Sequence, residues 1–171
     1  MKKALFSKIW LLVLLGIDAL SKALVLRWIP FLHGSIYPFG GIGIIKNFFG
    51  ISFSLNTVFN TGAAWGVFPG HFWILLMLRL CVVAALLIYL LFMRPSQRPH
   101  WPLWLITTGA MGNIIDMFYY GHVIDFLHVR FFGWSFPIFN LADSCITIGV
   151  VLLLIWPSRW RIFKEANEDA N

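Results

Sequence analysis

Four long apolar stretches constrain the fold of this chain more than any other feature of its sequence. Each is long enough to cross about 30 Å of hydrocarbon at about 1.5 Å per helical residue. The stretches are residues 9–29, 72–93, 101–118 and 140–156. Of the 171 residues, 60% are hydrophobic and 12% are charged, whereas a soluble domain has about a quarter charged residues. The sequence therefore predicts an α-helical integral membrane protein, a single membrane-embedded domain with four transmembrane helices.

The first stretch has a second interpretation, a cleavable signal peptide, because Lys2 and Lys3 precede a leucine-rich run. Asp18 and Lys22 lie within that run, however, and no clear small-x-small cleavage site follows it. We therefore expect residues 9–29 to be retained as a helix.

The positions of the basic residues predict the topology. Most of the 13 Lys and Arg residues lie before the first stretch, between the second and third, or after the fourth. The positive-inside rule places these regions, including a tail at 157–171, in the cytoplasm. Both termini are then cytoplasmic, and the two outer segments are residues 30–71 and 119–139. Because the basic residues stand in small groups at the ends of apolar runs, the net charge of +6 indicates topology rather than a nucleic-acid-binding surface.

The outer segments contain strand-like patterns. Residues 51–56 alternate between apolar and polar side chains, which predicts a short half-buried strand. Residues 123–130 fit either another strand or a short helix. The sequence thus predicts a small β-containing platform on the extracytoplasmic side.

The predicted topology places a group of polar residues together at the outer membrane boundary. Ionisable groups at membrane depth cost several kcal/mol each and are functional candidates by default. The residues that converge are Asp18, Lys22, Asn60, Asn113, Asp116, Asp125, Asn140 and Asp143.

Each of these residues also has a purely structural explanation. Asp18 and Lys22 have the i, i+4 spacing of a helical ion pair, which is either structural or an anchor for a neighbouring polar site. Asn113 and Asp116 share one helix face and are able to hydrogen-bond between helices.

The remaining candidates have structural alternatives in caps, loops and turns. Asn140, followed three residues later by Asp143, resembles a helix N-cap with an acid in the first turn. Asp125 is either a functional carboxylate or a solvated loop residue, and Asn60-Thr61-Gly62 is either part of the site or a turn.

The available chemistry favours a pair of carboxylates. The five histidines form no HExxH motif and no i, i+4 helical pair, so no catalytic zinc is expected. Ser135 and Ser144 lie in no recognisable nucleophile elbow and have no evident Lys or His partner in the sequence. Asp125 and Asp143 remain, and two carboxylates that share one proton can activate water and protonate a carbonyl.

Five motifs, in this order along the chain, resemble those of the lipoprotein signal peptidases, or type II signal peptidases. One motif alone is weak evidence, whereas the ordered set on about 170 residues is highly specific. The motifs are D-x3-K at Asp18 and Lys22, N-T-G-A-A-W at 60–65, G-A-M-G-N-I-I-D at 109–116, V-I-D-F at 123–126 and F-N-L-A-D-S at 139–144.

The resemblance implies an aspartic endopeptidase of the bacterial cytoplasmic (inner) membrane, active at its outer face. Such enzymes remove the signal peptide from diacylglyceryl-modified prolipoproteins and cut just before the lipidated cysteine. The family's catalytic pair corresponds to Asp125 and Asp143, without indicating which is the base. The supporting or substrate-binding residues correspond to Asp18, Lys22, Asn60, Gly62, Asn113, Asp116 and Asn140. The expected partners are the prolipoprotein and membrane phospholipid, with no nucleic acid, metal or organic cofactor, and we expect a monomer.

The chain departs from the family pattern directly after Asp116. The family usually has an arginine there, and this chain has Met117. Arg130, Arg79 and Lys22 are candidates for the missing cation, with Arg79 expected to extend outward along the second stretch. On the sequence alone, Met117→Arg is expected to preserve or improve activity.

Two other classes of function compete with the peptidase. A proton-coupled transporter predicts polar groups through the depth of the bilayer and often an inverted repeat of the spans, whereas the last three stretches have no acid in their cytoplasmic halves. A scaffold, in which polar groups only join helices, leaves Asp125 unexplained because it lies beyond the end of its helix.

Overall fold

The computed structural model describes residues 2–29, 41–62, 71–93 and 100–168. All four apolar stretches are helical. The helices are α1 (Lys2–Trp28), α2 (Phe72–Ile88, continued by a π-helical turn Tyr89–Met93), α3 (Trp101–Tyr120) and α4 (Leu141–Glu168). The last helix therefore continues well into the predicted cytoplasmic tail. Much of the N-T-G-A-A-W motif, and the predicted cytoplasmic link between α2 and α3, lie outside the described residues.

Two helices have the length and apolar composition needed to cross a membrane among the described residues. They are Ile9–Trp28 and Phe72–Phe92. In the most apolar 18 residues of each helix, only 17% and 22% of the residues, respectively, are buried in the protein. A core helix of a soluble protein is mostly buried, so these exposed apolar surfaces fit contact with lipid. The apolar part of α4, Leu141–Ile155, is shorter, and α3 is less apolar because it contains Asn113 and Asp116. The predicted number of four transmembrane helices stays a prediction.

Helix α3 lies at the centre of the helical part and packs against α1, α2 and α4. Glycines allow its closest approaches. A Cβ atom on Gly109 would lie 2.3 Å from the Ala142 carbonyl oxygen of α4. A Cβ atom on Gly112 would lie 2.8 Å from Asp18 Oδ2 of α1. Small residues of this kind let helix backbones approach closely where the hydrophobic effect between helices is absent.

The outer segments form one antiparallel sheet, in the order β1 (Ile42–Phe48), β2 (Ile51–Asn60), β3 (Val123–Phe131) and β4 (Trp134–Ser135). The predicted β-containing platform is therefore confirmed, while its extracytoplasmic location stays a prediction. The strand predicted at 51–56 extends to Asn60, and residues 123–130 form a strand rather than a helix. Strands β2 and β3 pair from Ile51 with Phe131 to Asn60 with Val123, which joins the two outer segments.

The two hairpin turns of the sheet share the sequence Phe-Phe-Gly-x-Ser-Phe. In both turns the second Phe and the Gly have positive φ, with values of 49° and 83° at Phe49-Gly50 and 48° and 86° at Phe132-Gly133. Positive φ at both central residues matches the right-handed twist of paired strands. The turns lie side by side, because Phe132 N donates to Gly50 O at 2.7 Å.

The contact between α3 and α4 gives a testable prediction. We expect Gly109→Ala to lower the melting temperature and the activity together, since its Cβ forces α4 away from α3 and displaces the first turn of α4. A core clash of this kind costs roughly 1–3 kcal/mol. Thermal unfolding in detergent measures the effect. Gly16→Ala is the control because a Cβ there meets nothing within 4 Å, and equal losses in both variants would contradict the prediction.

Candidate active site

The Asp143 carboxylate lies in the first turn of α4, and the local sequence fixes its position. Asn140 caps this helix: its Oδ1 accepts from Asp143 N at 2.8 Å, while Asp143 Oδ2 accepts from Asn140 N at 3.3 Å. This reciprocal pair has the geometry of a capping box. The other oxygen, Oδ1, accepts from Asn113 Nδ2 of α3 at 2.7 Å. The cap predicted from the sequence is therefore real, and it orients Asp143 toward the other polar residues.

The Asp125 carboxylate lies on β3 and is buried, with 2% of the residue exposed. It is thus not a solvated loop residue. Its Oδ2 accepts from Asn60 Nδ2 at 2.9 Å, and its Oδ1 accepts from Asn140 Nδ2 at 2.8 Å. Two amide donors therefore hold the carboxylate between β2 and the start of α4.

A bulge in β2 places Asn60 on the same face of the sheet as Asp125. The pairing changes between Leu55 with Leu127 and Val58 with Asp125, so β2 has one residue more than β3 in this interval. Successive side chains point to opposite faces, and one extra residue reverses which face the following side chains occupy. Without the bulge, Asn60 would lie on the face opposite Asp125. Gly62 N also donates to Asn60 Oδ1 at 3.0 Å, which fixes the orientation of the amide.

Asn140 joins the two aspartates. Its side-chain amide donates to Asp125, its backbone N–H donates to Asp143, and its Nδ2 also lies 3.0 Å from Asn113 Oδ1. Asn140 is 0% exposed. One fully buried residue therefore fixes both carboxylates in a single hydrogen-bonded network.

Burial favours the protonated form of Asp125. Desolvation and the neighbouring Asp143 raise the pKa of Asp125 to about 7, while hydrogen bonds from Asn60 and Asn140 act in the opposite direction. Loss of water around a carboxyl group penalises its charged form, and a second carboxylate adds repulsion. The pair is therefore suited to hold one proton near neutral pH.

A buried lysine contacts the residues that surround Asp125 and Asp143. Lys22 is 0% exposed, and its Nζ lies 2.6 Å from Asp18 Oδ2 and 2.7 Å from Asp116 Oδ2. It also donates to Asn113 Oδ1 at 3.4 Å. The predicted Asp18–Lys22 ion pair therefore exists, and its contact with Asn113 connects it to the site.

The two partners of Lys22 each hold the backbone beside one catalytic candidate. Asp18 Oδ1 accepts from the N–H of Ala142, the residue before Asp143, at 2.9 Å. Asp116 Oδ2 accepts from the N–H of Ile124, the residue before Asp125, at 3.3 Å. The ion cluster thus positions α4 and β3 relative to each other, so the structural interpretation of these residues is compatible with the functional one, which stays a prediction.

Both aspartates line a cavity of about 560 Å³. Its polar wall is formed by Asn60, Arg79, Asn113, Asp125 and Asp143. Its apolar wall includes Val123, residues 136–139, Ile146 and Ile148. The sequence identified most of the polar wall, but it did not identify the apolar wall, because hydrophobic residues in a mostly hydrophobic chain give no distinguishing signal.

The three candidate substitutes for the missing arginine occupy different places. Arg79 lines the cavity, donates from Nη2 to Gly62 O at 3.4 Å, and contacts the sulfur of Met117 with Nη1. Arg130 instead donates to Gly133 O at a hairpin turn, and Lys22 is engaged by Asp18 and Asp116. Arg79 is therefore the basic residue that reaches the position next to Met117.

One serine has a histidine partner that the sequence did not reveal. His128 Nε2 lies 2.7 Å from Ser135 Oγ, and Nδ1 lies 3.3 Å from Ser54 Oγ. The expectation that Ser135 has no such partner was wrong, because pairing of β3 with β4 brings the two together. His128 is three residues from Asp125 on the same strand and so faces the opposite side of the sheet. Burial and Arg130 lower the pKa of His128, which favours its neutral form.

The described part of the chain contains no group of three or more His, Cys, Asp or Glu residues placed to hold a metal ion. The Asp18 and Asp116 carboxylates are both paired with Lys22.

Comparison with known proteins agrees with the motif set. The family model described as Signal peptidase (SPase) II matches residues 10–158. The chain belongs to the signal peptidase II family. A lipoprotein signal peptidase of Anoxybacillus flavithermus is 38% identical over 145 residues, covering 84% of this chain and 80% of the relative. One from Chlamydia trachomatis serovar D is 38% identical over 147 residues, covering 84% and 86%.

The fold agrees as well. A solved structure of a bacterial membrane enzyme superposes with a TM-score of 0.71 at 26% identity, covering 90% of this chain and 88% of that one. A second structure of a bacterial membrane enzyme gives a TM-score of 0.68, also at 26% identity. The membrane-protein class predicted from the apolar stretches is thereby confirmed.

The buried ion cluster predicts a large stability effect. We expect Lys22→Met to lower the free energy of unfolding by roughly 3–5 kcal/mol, since it leaves Asp18 and Asp116 as buried carboxylates without a cation. Thermal or denaturant unfolding in detergent checks the loss. Lys46→Met, at an exposed position of β1, serves as the control and should stay within about 0.5 kcal/mol of the parent protein. A Lys22 variant as stable as this control would disprove the cluster's role.

The raised pKa of Asp125 predicts a pH-dependent stability. An unfolded Asp loses its proton near pH 4, whereas Asp125 keeps its proton in the folded protein to about pH 7. The folded state therefore loses stability as pH rises through this window, by at most about 4 kcal/mol. Asp125→Asn removes the effect, so its melting temperature minus that of the parent should become more positive from pH 5 to pH 8. A difference that does not change with pH would refute the assignment.

Proposed function

We propose that the chain is a membrane-embedded aspartic endopeptidase that removes the signal peptide from diacylglyceryl-modified prolipoproteins, cutting just before the lipidated cysteine. The observation that carries the proposal is the Asn140 bridge, which fixes Asp125 and Asp143 together on the wall of one cavity. Membership of the signal peptidase II family and the names of the similar proteins, lipoprotein signal peptidases, support the choice of substrate.

The surroundings of the two carboxylates differ in a way that supports different roles for them. Asp143 lies in the first turn of α4, where the helix dipole favours negative charge, and it accepts from Asn113 Nδ2 and Asn140 N. Asp125 is buried on a strand and keeps its proton to about pH 7, its pKa being raised by desolvation and by Asp143. We therefore assign Asp143 as the general base and Asp125 as the general acid of a coupled pair.

The reaction then uses one water and one shared proton. Ionised Asp143 takes a proton from the water while the water oxygen attacks the scissile carbonyl carbon. Asp125 donates its proton to the carbonyl oxygen. The product is a neutral tetrahedral gem-diol. Asp143 next gives its proton to the amide nitrogen, the C–N bond breaks, and Asp125 recovers a proton from a gem-diol hydroxyl. The two aspartates finish with the protonation with which they began.

The cavity offers a surface for an apolar substrate beside the acids. Its apolar wall continues along α4 through Ile146 and Ile148, below Asp143 in the direction of the helix. A hydrophobic signal peptide or an acyl chain fits this wall, while the scissile bond meets the polar end. Membrane phospholipid is the natural neighbour of such an opening. The cleaved stretch must be extended, because a helical peptide bond is shielded by its neighbours.

The proposed setting follows from the charge pattern of the sequence. Four transmembrane helices, with both termini in the cytoplasm of a bacterial cell, place the sheet and both acids at the outer face of the inner membrane. We also propose that the enzyme acts as a monomer. The proposed steps need no metal, organic cofactor or nucleic acid.

Cleavage of a purified diacylglyceryl prolipoprotein tests the function. We expect Asp125→Asn and Asp143→Asn each to lower the rate by at least about 100-fold, because each removes one half of the proton transfer. Glu165→Gln is the matched control, since it also neutralises an acid on α4 but lies about 33 Å along the helix from Asp143. Full activity in either aspartate variant would eliminate the proposed pair.

A further inference from the structure

The charges around the cavity are unequal in number. Four carboxylates surround it or lie directly behind it: the buried Asp18, Asp116 and Asp125 and the half-buried Asp143. With one proton on the catalytic pair, three negative charges remain. Buried charges require a partner of opposite sign, so a single lysine does not balance the site.

Lys22 forms ion pairs with two of these carboxylates. Its ammonium group lies 2.6 Å from Asp18 and 2.7 Å from Asp116. Its contact with the rest of the site is the longer hydrogen bond to Asn113 Oδ1, at 3.4 Å. The catalytic pair therefore needs a second cation for its ionised form.

Arg79 lies on α2, an element that carries none of the four carboxylates. It lines the same cavity and interacts attractively with both Asp143 and Asp125. Its Nη2 donates to Gly62 O at 3.4 Å, and Gly62 N in turn donates to Asn60 Oδ1 at 3.0 Å. Through these two bonds the guanidinium also holds the turn that directs the Asn60 amide at Asp125.

Met117 lies directly beside the Arg79 guanidinium. It is 3% exposed, packs in the apolar core between α2 and α3, and touches Nη1 of Arg79 with its sulfur. A neutral side chain at 117 leaves this space to the Arg79 guanidinium. Two cations in the same place would repel each other.

We propose that Arg79 is the positioning cation of the catalytic pair, stabilising the ionised aspartate electrostatically across the cavity and holding the Asn60 turn by a hydrogen bond from α2. This inference rests on the proposed function for its kinetic test, but its electrostatic part is measurable without substrate. It also reverses the expectation from the sequence that Met117→Arg preserves activity, because the new guanidinium would meet that of Arg79.

The first test exchanges the two side chains. Arg79→Met should lower kcat roughly 10- to 100-fold and move the acidic limb of the kcat–pH profile up by about one pH unit, with little change in KM. Met117→Arg alone should also lose activity. The double variant Arg79→Met/Met117→Arg should recover most of the rate and return the acidic limb. Arg27→Met, at an exposed position on α1, is the control and should cleave normally.

Several results would overturn the proposal. One is an Arg79→Met enzyme with the parent rate and profile. Another is an Arg79→Met enzyme that loses activity without a shift in the acidic limb of its kcat–pH profile and does not regain activity in the double variant. Such a result would indicate a structural defect alone. If Arg79→Met does not fold, the Met117→Arg single variant decides: parental activity contradicts the shared space, and loss of activity with retained folding supports it.

The second test needs no cleavage and separates this inference from the proposed function. If Arg79 stabilises the ionised pair, its removal costs stability when the pair is ionised and not when it is protonated. The melting temperature of Arg79→Met minus that of the parent should therefore become more negative from pH 5 to pH 8. In the Asp125→Asn/Asp143→Asn background this pH trend should disappear. A trend that is absent in the parent background rejects the role of Arg79, whether or not the protein cleaves prolipoprotein.

Discussion

The site depends on one buried ammonium group. Lys22 holds Asp18 and Asp116 at 2.6 and 2.7 Å, and their remaining bonds go to the backbone N–H groups of Ala142 and Ile124. Those residues directly precede the two catalytic candidates, so a single cation fixes the starting points of α4 and β3. Such a cluster costs desolvation energy and adds little net stability. Its value here is geometric, since it places two carboxylates from distant parts of the chain on one cavity wall.

The sequence predicted most of this arrangement because polar residues are conspicuous in an apolar chain. Asp18, Lys22, Asn113, Asp116, Asn140 and Asp143 stand at helical spacings, and topology alone brought them to one end of the helices. What the sequence could not give was pairing at long range. The register of β2 with β3, the Ser135–His128 contact and the partners of Arg79 depend on packing between segments, and no local pattern encodes them. The boundary of α4 was also missed, because a helix can continue beyond the apolar run that marks its membrane-facing part.

Structural and functional explanations of the same residue turned out to be compatible. Asn140 and Asp143 form a helix cap, and that cap turns Asp143 toward Asn113. Asp18 and Lys22 form an ion pair, and that pair anchors the backbone beside Asp143. A buried polar group needs all its partners satisfied. In a small chain with few polar residues, the groups that satisfy each other are the same ones that bind the two carboxylates of the proposed catalytic pair.

The bulge in β2 has a consequence for how this chain can change its length. Side chains alternate between the two faces of a strand, so the number of residues in β2 decides which face Asn60 occupies. The one extra residue of the bulge puts Asn60 on the face of Asp125. An insertion or deletion of one residue in β2 reverses that face and turns the amide away, whereas a change of two restores it. Related chains should therefore differ in the length of this strand by even numbers of residues. This constraint concerns the number of residues in the strand and not their identity.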